Sequence, residues 1–155
     1  MCDWIEGVVE LLMPLYVALK REVLALPYIQ ADETTMKVQD GEKPNACHTG
    51  YLWGIHGPPK LIWYHYAEGR SGDVPKELLR GYQGVAQTDA YAGYNAGSHE
   101  GARRAAVLYS LLGTCRLNKV NPWEWLSDVL VRINVASDDT AVSLLPMNWK
   151  KKPVG

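Results

Sequence analysis

The chain has 155 residues, of which 47% are hydrophobic and 21% are charged, a composition typical of one globular domain and not of a disordered chain. Its formal net charge of −1 argues against a dedicated nucleic-acid coat or a polybasic membrane binder. No apolar run approaches the ~20 residues that span a bilayer, and the first residues lack the basic region of a secretory signal. We therefore expect a cytoplasmic protein without membrane contact.

The first predicted element is an amphipathic helix. Apolar residues recur at helical spacing between Asp3 and Leu26, and Asp3 is a candidate N-cap. Pro14 is expected to kink this helix or divide it in two, and Pro27 marks its end.

Strand signals follow in the middle of the chain. Segments that contain β-branched and aromatic residues predict four strands, over 28–38, 50–56, 61–67 and 84–89. The first three are separated by turn-forming residues and predict an antiparallel meander. A short helix is expected over 73–80 before the fourth strand, and a loop over 90–101 after it.

The remainder of the chain is predicted to be helical. One helix is expected over 101–117, and a second begins after Asn121, which provides an N-cap followed by a proline and a capping-box glutamate. Strands first and helices last favour a mixed α/β sheet with helices packed on it.

Two aspartates stand at positions where a carboxylate is costly. Asp32 lies within the first predicted strand and Asp89 ends the fourth, and a carboxylate on a half-buried strand needs a partner or a metal. If the two strands are neighbours, both carboxylates converge on one cation, and oxygen ligands suit Mg²⁺ or Mn²⁺. The alternative is that Asp32 faces solvent on an edge strand with Glu33 inward, and that Asp89 forms a turn or caps a helix. From the pattern alone this alternative is favoured.

The other chemistry-bearing residues form no recognisable motif. The four histidines have no metal-binding spacing. His56 and His65 lie on strands predicted to pair and could approach each other, although half-buried polar positions are the commoner use. Aromatic side chains of the second and third strands could stack on bases, with core packing as the commoner role: Tyr51, Trp53, Trp63, Tyr64 and Tyr66.

Five long phrases follow one another along the chain: LPYIQADETTMKVQD, HTGYLWGIHGPPK, PKELLRGYQGVAQTDAYAGYN, SHEGARRAAVLYSLLGTCRLNKVNPWEWLSDVL and LLPMNWK. In content and order they closely resemble the insertion-sequence-66 family of bacterial transposases, over nearly the whole chain. The resemblance implies a ribonuclease H-like core of the DDE type, with the first aspartate on the first strand and the second at the end of the fourth.

Asp32 in ADET and Asp89 in QTDAYAGY match these two family positions. The resemblance therefore implies that they are the catalytic and metal-binding residues, with Mg²⁺ or Mn²⁺ as the cofactor. The implied activity is DNA transposition, in which water cuts a phosphodiester at the transposon end and the freed 3′-hydroxyl attacks target DNA. The implied partners are DNA at the transposon ends and at the target.

The sequence departs from the family after the second aspartate. The family's fifth strand and the motif with its third carboxylate have no counterpart, and we interpret the joint near 95–97 as an internal deletion. Glu100 stands in a phrase that lies beyond the family's catalytic glutamate, Glu124 is assigned to helix capping, and Asp128 is expected on a solvated helix face. The third catalytic carboxylate is therefore expected to be missing.

This departure leaves more than one function open. The chain is a transposase catalytic fragment, or an inactive remnant that at most binds DNA or co-assembles with an intact transposase. A metal-dependent nuclease would need an acidic group from the C-terminal helices. The expected organisation is an N-terminal helical segment (1–27), a truncated ribonuclease H-like sheet of about four strands (28–95), and C-terminal helices with a tail (96–155). An uncovered edge on the fourth strand would favour a homo-oligomer.

Overall fold

The structure is a computed structural model, and it describes residues 3–39, 47–69, 71, 73–88, 93–96, 99–135 and 138–150. In chain order the elements are α1 (Asp3–Leu24), β1 (Tyr28–Gln39), β2 (Cys47–Gly57), β3 (Leu61–Ala67), α2 (Asp73–Leu78), β4 (Val85–Thr88), β5 (Gly93–Ala96), α3 (His99–Leu117), α4 (Pro122–Arg132), a 3₁₀ turn (Ile133–Val135) and α5 (Asp138–Leu144). Across these ranges, no helix has the length and apolar character needed to cross a bilayer.

The strands form one mixed sheet in the order β3-β2-β1-β4, and β5 also pairs with β1. The first three strands are successively antiparallel, which confirms the predicted meander. β4 and β5 run parallel to β1, along the edge that β2 does not occupy. β1 is therefore the central strand, and the fold is a mixed α/β sheet with flanking helices.

The segment expected to be a loop over 90–101 contains a strand and the start of a helix. β5 pairs in register with Thr35–Val38 of β1, and α3 begins at His99. Four residues are too few to show an alternating pattern, so only the pairing with β1 defines this strand. β4 is exposed along its length, and among the described strands it pairs with β1 alone.

The buried face of β1 changes along its length. Ile29 and Ala31 are buried in its first half, and Met36 and Val38 in its second half. Because successive side chains of a strand alternate between faces, the two pairs lie on opposite sides of the sheet, in a larger and a smaller core. Asp32 shares a face with Met36, yet it is exposed. It therefore lies on the part of that face that the smaller core does not cover.

The N-terminal helix contributes one side of the larger core. It buries apolar side chains at helical spacing: Leu12, Leu15, Leu19 and Val23. Pro14 does not divide the helix, so that part of the prediction is wrong. A proline at position 14 has no N–H to donate to the carbonyl of Glu10. Both residues are exposed, so water can hydrogen-bond this carbonyl and the helix continues through the proline.

Helix α3 covers the outer edge of β3. The backbone N–H of Tyr64 donates to Ser110 Oγ at 2.7 Å, and Thr114 Oγ1 accepts from the N–H of Ile62 at 3.3 Å and donates to its carbonyl at 3.1 Å. The Tyr16 hydroxyl of α1 donates to the Tyr64 carbonyl at 2.7 Å. Side chains thus take the place of a further strand, which protects this edge from pairing with another chain.

The C-terminal helices confirm one prediction and add an element. Asn121 caps α4, since its side-chain oxygen accepts from the N–H of Trp123 at 2.9 Å and of Glu124 at 3.4 Å. Trp125 is fully buried, and its indole N–H donates to the Leu144 carbonyl of α5 at 2.9 Å. The sequence pattern does not predict α5, because seven residues are too short for a clear helical period.

Replacing Thr114 by valine tests the covered edge. Thr114→Val keeps the shape of the side chain but leaves the N–H and carbonyl of Ile62 without their partner, so we expect the free energy of unfolding to fall by about 1–2 kcal/mol. Urea denaturation measures the change. The control is Ser127→Ala, at an exposed position of α4, expected to change stability by less than about 0.5 kcal/mol. Equal effects of the two substitutions would show that α3 does not cap β3.

Candidate active site

Asp32 lies on the central strand of the sheet. It is paired with Gly54 of β2, and the residue before it, Ala31, is paired with Thr88 of β4. The reading of Asp32 as a solvent-facing residue on an edge strand is therefore wrong about the strand, although Asp32 is indeed exposed and Glu33 is half-buried. Asp32 is therefore an exposed carboxylate on an interior strand of the sheet.

The exposed face around Asp32 forms a groove of about 410 Å³. Side chains from four strands line it, among them Gln30, Asp32, Thr34, His56, Tyr64 and Gln87. Gly54 lies opposite Asp32, and a Cβ at Gly54 would come within 3.0 Å of the Tyr64 ring. The absence of a side chain at this position keeps the groove open beside the carboxylate.

Hydrogen bonds order the polar walls of the groove. His56 Nδ1 lies 3.0 Å from Gln30 Oε1. Since a carboxamide oxygen accepts, Nδ1 carries the proton and Nε2 keeps its lone pair. On the other wall, the Tyr28 hydroxyl donates to Gln87 Oε1. Burial lowers the pKa of His56, which favours the neutral imidazole.

Asp89, the second predicted site residue, lies outside the described residues. The last pair in the register of β1 and β4 is Ala31 with Thr88. In the sequence, Asp32 follows Ala31 and Asp89 follows Thr88. Convergence of the two carboxylates stays a prediction.

The described residues include one of the two aspartates predicted to bind Mg²⁺ or Mn²⁺, and its surroundings fit such an ion. The Asp32 carboxylate is the type of ligand that these ions prefer, and it is exposed in the groove. Thr34 Oγ1, two residues further on the same face, is buried without a hydrogen-bond partner in the described part of the chain. Within those same ranges, no three side chains of His, Cys, Asp or Glu form a cluster that could hold a metal.

The candidate replacements for a third carboxylate lie elsewhere. Glu100 pairs with Arg103 at 3.4 Å and with Arg104 at 3.5 Å. Asp128 pairs with Arg132 at 2.6 Å, and Glu124 is in the first turn of α4. None of the three carboxylates lines the groove around Asp32.

His56 and His65 do not approach each other across β2 and β3. The register pairs His56 with Ile62 and His65 with Trp53, and side-chain alternation then places the two histidines on opposite faces. The favoured interpretation, half-buried polar positions on the sheet, is confirmed, since both histidines are half-buried. Among the aromatic candidates, Trp53, Trp63 and Tyr66 are buried in the core, whereas Tyr64 lines the groove.

One histidine cluster was not visible in the sequence pattern. His48 Nε2 of β2 hydrogen-bonds His99 Nε2 at the start of α3, and His99 Nδ1 hydrogen-bonds the Tyr66 hydroxyl of β3. The two imidazole rings stack with centroids 4.0 Å apart. Because 51 residues separate the histidines, no local spacing signals this contact, which attaches α3 to the sheet.

The fold and the groove define a mixed α/β protein with a carboxylate exposed on its central strand. Residues 1–107 match the family model described as "Transposase IS66 family", and residues 110–147 match "IS66 C-terminal element". The chain belongs to the IS66 transposase family, which confirms the resemblance found in the sequence.

Individual relatives are similar over shorter stretches. The uncharacterized protein y4hP of Sinorhizobium fredii is 48% identical over 56 residues, which cover 36% of this chain and 10% of y4hP. The uncharacterized protein YuaK of Escherichia coli is 64% identical over 31 residues, which cover 20% of this chain and 33% of YuaK. The chain thus spans about a tenth of y4hP and a third of YuaK in these matches. No solved structure matches the chain.

The surroundings of His65 predict that the protein loses stability at acidic pH. Burial, with Lys20 and Arg103 nearby, lowers the pKa of His65 below its ordinary 6.5, against a smaller raising effect of Glu77. The unfolded chain therefore binds the proton first, so the stability that is complete above pH 6.5 is lost as the pH falls through the lower, folded-state pKa. We expect His65→Gln to reduce the drop in urea midpoint between pH 7.5 and pH 5. The interval from pH 8.5 to 7.5 serves as the control. An unchanged acid drop in the variant would contradict the assignment.

Proposed function

We propose that this chain is catalytic-domain material of a DDE-type DNA transposase, in which Asp32 and Asp89 hold Mg²⁺ or Mn²⁺. The observation that carries the proposal is the exposed Asp32 on the central strand, in an open groove. The parallel pairing of β1 with β4 supports it. β1 contains Asp32, and β4 ends at the residue before Asp89, so the two strands are neighbours in the sheet. Membership of the IS66 family gives the class of reaction.

The topology also supports a ribonuclease H-like sheet. In that fold the first aspartate lies on the first strand and the second at the end of the fourth, as implied for this family. Here Asp32 is on β1, and Asp89 directly follows β4. The proposed organisation keeps the helical segment 1–27, the core 28–95 and the C-terminal part 96–155.

The residues of the groove have separate roles in this proposal. Asp32 binds the cation, and Gly54 leaves space for DNA to approach it. When bound, the divalent ion activates a water or hydroxyl group and stabilises the leaving oxygen of a phosphodiester. The hydrogen-bonded pairs His56–Gln30 and Tyr28–Gln87 hold the walls in place. The proposed substrates are the transposon ends and the target DNA.

The second candidate is an inactive remnant that binds DNA or co-assembles with an intact transposase. It is favoured by the ion pairs that hold Glu100 and Asp128 away from the groove, since a site that lacks one carboxylate is poorly assembled. The exposed strand β4, which pairs with β1 alone among the described strands, offers an edge for a second copy or for a longer family member.

A cleavage assay distinguishes the two candidates. Labelled duplex DNA with Mn²⁺ is incubated with the wild type, with Asp32→Asn, and with Asp73→Asn as the control. Asp73 is an exposed carboxylate at the start of α2, paired with Lys76 at 3.2 Å. We expect Asp32→Asn to lower nicking by ~10²–10³-fold, since loss of metal-based charge stabilisation costs several kcal/mol. Asp73→Asn should cut like the wild type.

The other outcomes are equally informative. Nicking that survives Asp32→Asn would overturn the proposed site. A folded wild type that does not cut would favour the remnant, and gel-shift and co-purification assays with an intact family member would then measure its remaining role.

A further inference from the structure

We propose that His56 is a further ligand of the cation at Asp32, and that it shifts the site's preference from Mg²⁺ toward Mn²⁺. This inference rests on the proposed function, since it needs a divalent cation at Asp32. It adds to the two aspartates a residue that spacing and family resemblance do not assign.

The register of β1 and β2 places His56 beside Asp32. Asp32 pairs with Gly54, so His56, two residues further along β2, is its diagonal neighbour on the same face. Diagonal neighbours in an antiparallel pair are ~7–8 Å apart, within reach of long side chains. Both residues line the same groove, and Gly54 between them has no side chain to separate them. A cation at the carboxylate is therefore within reach of the imidazole.

The hydrogen bond of His56 prepares the ring for a metal. Its Nδ1 donates to Gln30 Oε1 at 3.0 Å, and this bond fixes both the orientation of the ring and the tautomer with the lone pair on Nε2. Metal-binding histidines make this arrangement as a rule, with the outer nitrogen donating to an oxygen acceptor. Gln30 is thus the positioning residue, and His56 is the ligand.

The donor type determines which cation is preferred. Mg²⁺ takes oxygen ligands in near-ideal octahedral geometry and gives up its waters reluctantly. Mn²⁺ is the first member of the transition series that binds nitrogen-containing sites with affinity rising toward Cu²⁺, so it accepts an imidazole more readily than Mg²⁺ does. Glu100, which pairs with arginines, and Asp128, which pairs with Arg132, do not line the groove. An imidazole in the place of a carboxylate makes the site relatively better for Mn²⁺.

Metal binding, measured without any DNA, tests the inference. Mn²⁺ binding to the purified chain is followed by electron paramagnetic resonance, with pulsed detection of nitrogen coupling, and Mg²⁺ binding by calorimetry. We expect nitrogen coupling to Mn²⁺ in the wild type. His56→Asn should abolish the coupling and weaken Mn²⁺ binding by at least about tenfold, because loss of an outer-shell partner of a ligand already costs about 10–100-fold in affinity. His56→Asp should restore affinity without the coupling and lower the ratio of Mn²⁺ to Mg²⁺ affinity.

Two controls separate this inference from the proposed function. His65→Asn changes a histidine of the opposite face and should leave Mn²⁺ binding unchanged, whereas Asp32→Asn should abolish it. Loss of binding in Asp32→Asn with wild-type affinity and coupling in His56→Asn would overturn the role of His56 and leave the Asp32 site standing. Full binding in Asp32→Asn, or no binding by the folded wild type, would overturn both.

Discussion

The central position of β1 is the constraint on which the rest of the structure depends. Its peptide groups pair with β2 along one edge and with β4 and β5 along the other, so its side chains alone determine what covers each face. Ile29 and Ala31 pack into the larger core on one face, and Met36 and Val38 pack into the smaller core on the other. Asp32 lies between these two apolar pairs, and the groove exists because neither core extends over it.

The two outer strands of the sheet differ in how they are covered. On β3, the hydroxyls of Ser110 and Thr114 satisfy the backbone groups that a further strand would have paired. This covering also positions α3, whose first residue His99 contacts His48 and Tyr66. β4 has exposed residues throughout. Asp32, on the strand next to β4, therefore lies nearer the exposed edge of the described sheet than the edge that α3 covers.

Local patterns predicted most of the elements correctly. α1, the three meander strands and the capped start of α4 were readable because each has a period, a turn or a cap within a few residues. β5 and α5 are too short to show a period, and they exist because β1 and Trp125 offer partners. For the site, the strand context marked Asp32 as a candidate, and the family resemblance assigned it to the site. The position of His56 in the same groove could not be predicted, because it depends on the register of two strands.

Motifs, periodicity and capping are properties of neighbouring residues, and they were enough to predict the family, the strand that carries Asp32 and the order of the longer elements. The tertiary structure was needed to establish three features: β1 is central, His56 and His65 face opposite sides, and Glu100 and Asp128 form ion pairs away from the groove. These features depend on strand register and helix docking. Contacts between residues far apart in the chain set both, and short-range sequence patterns carry no information about them.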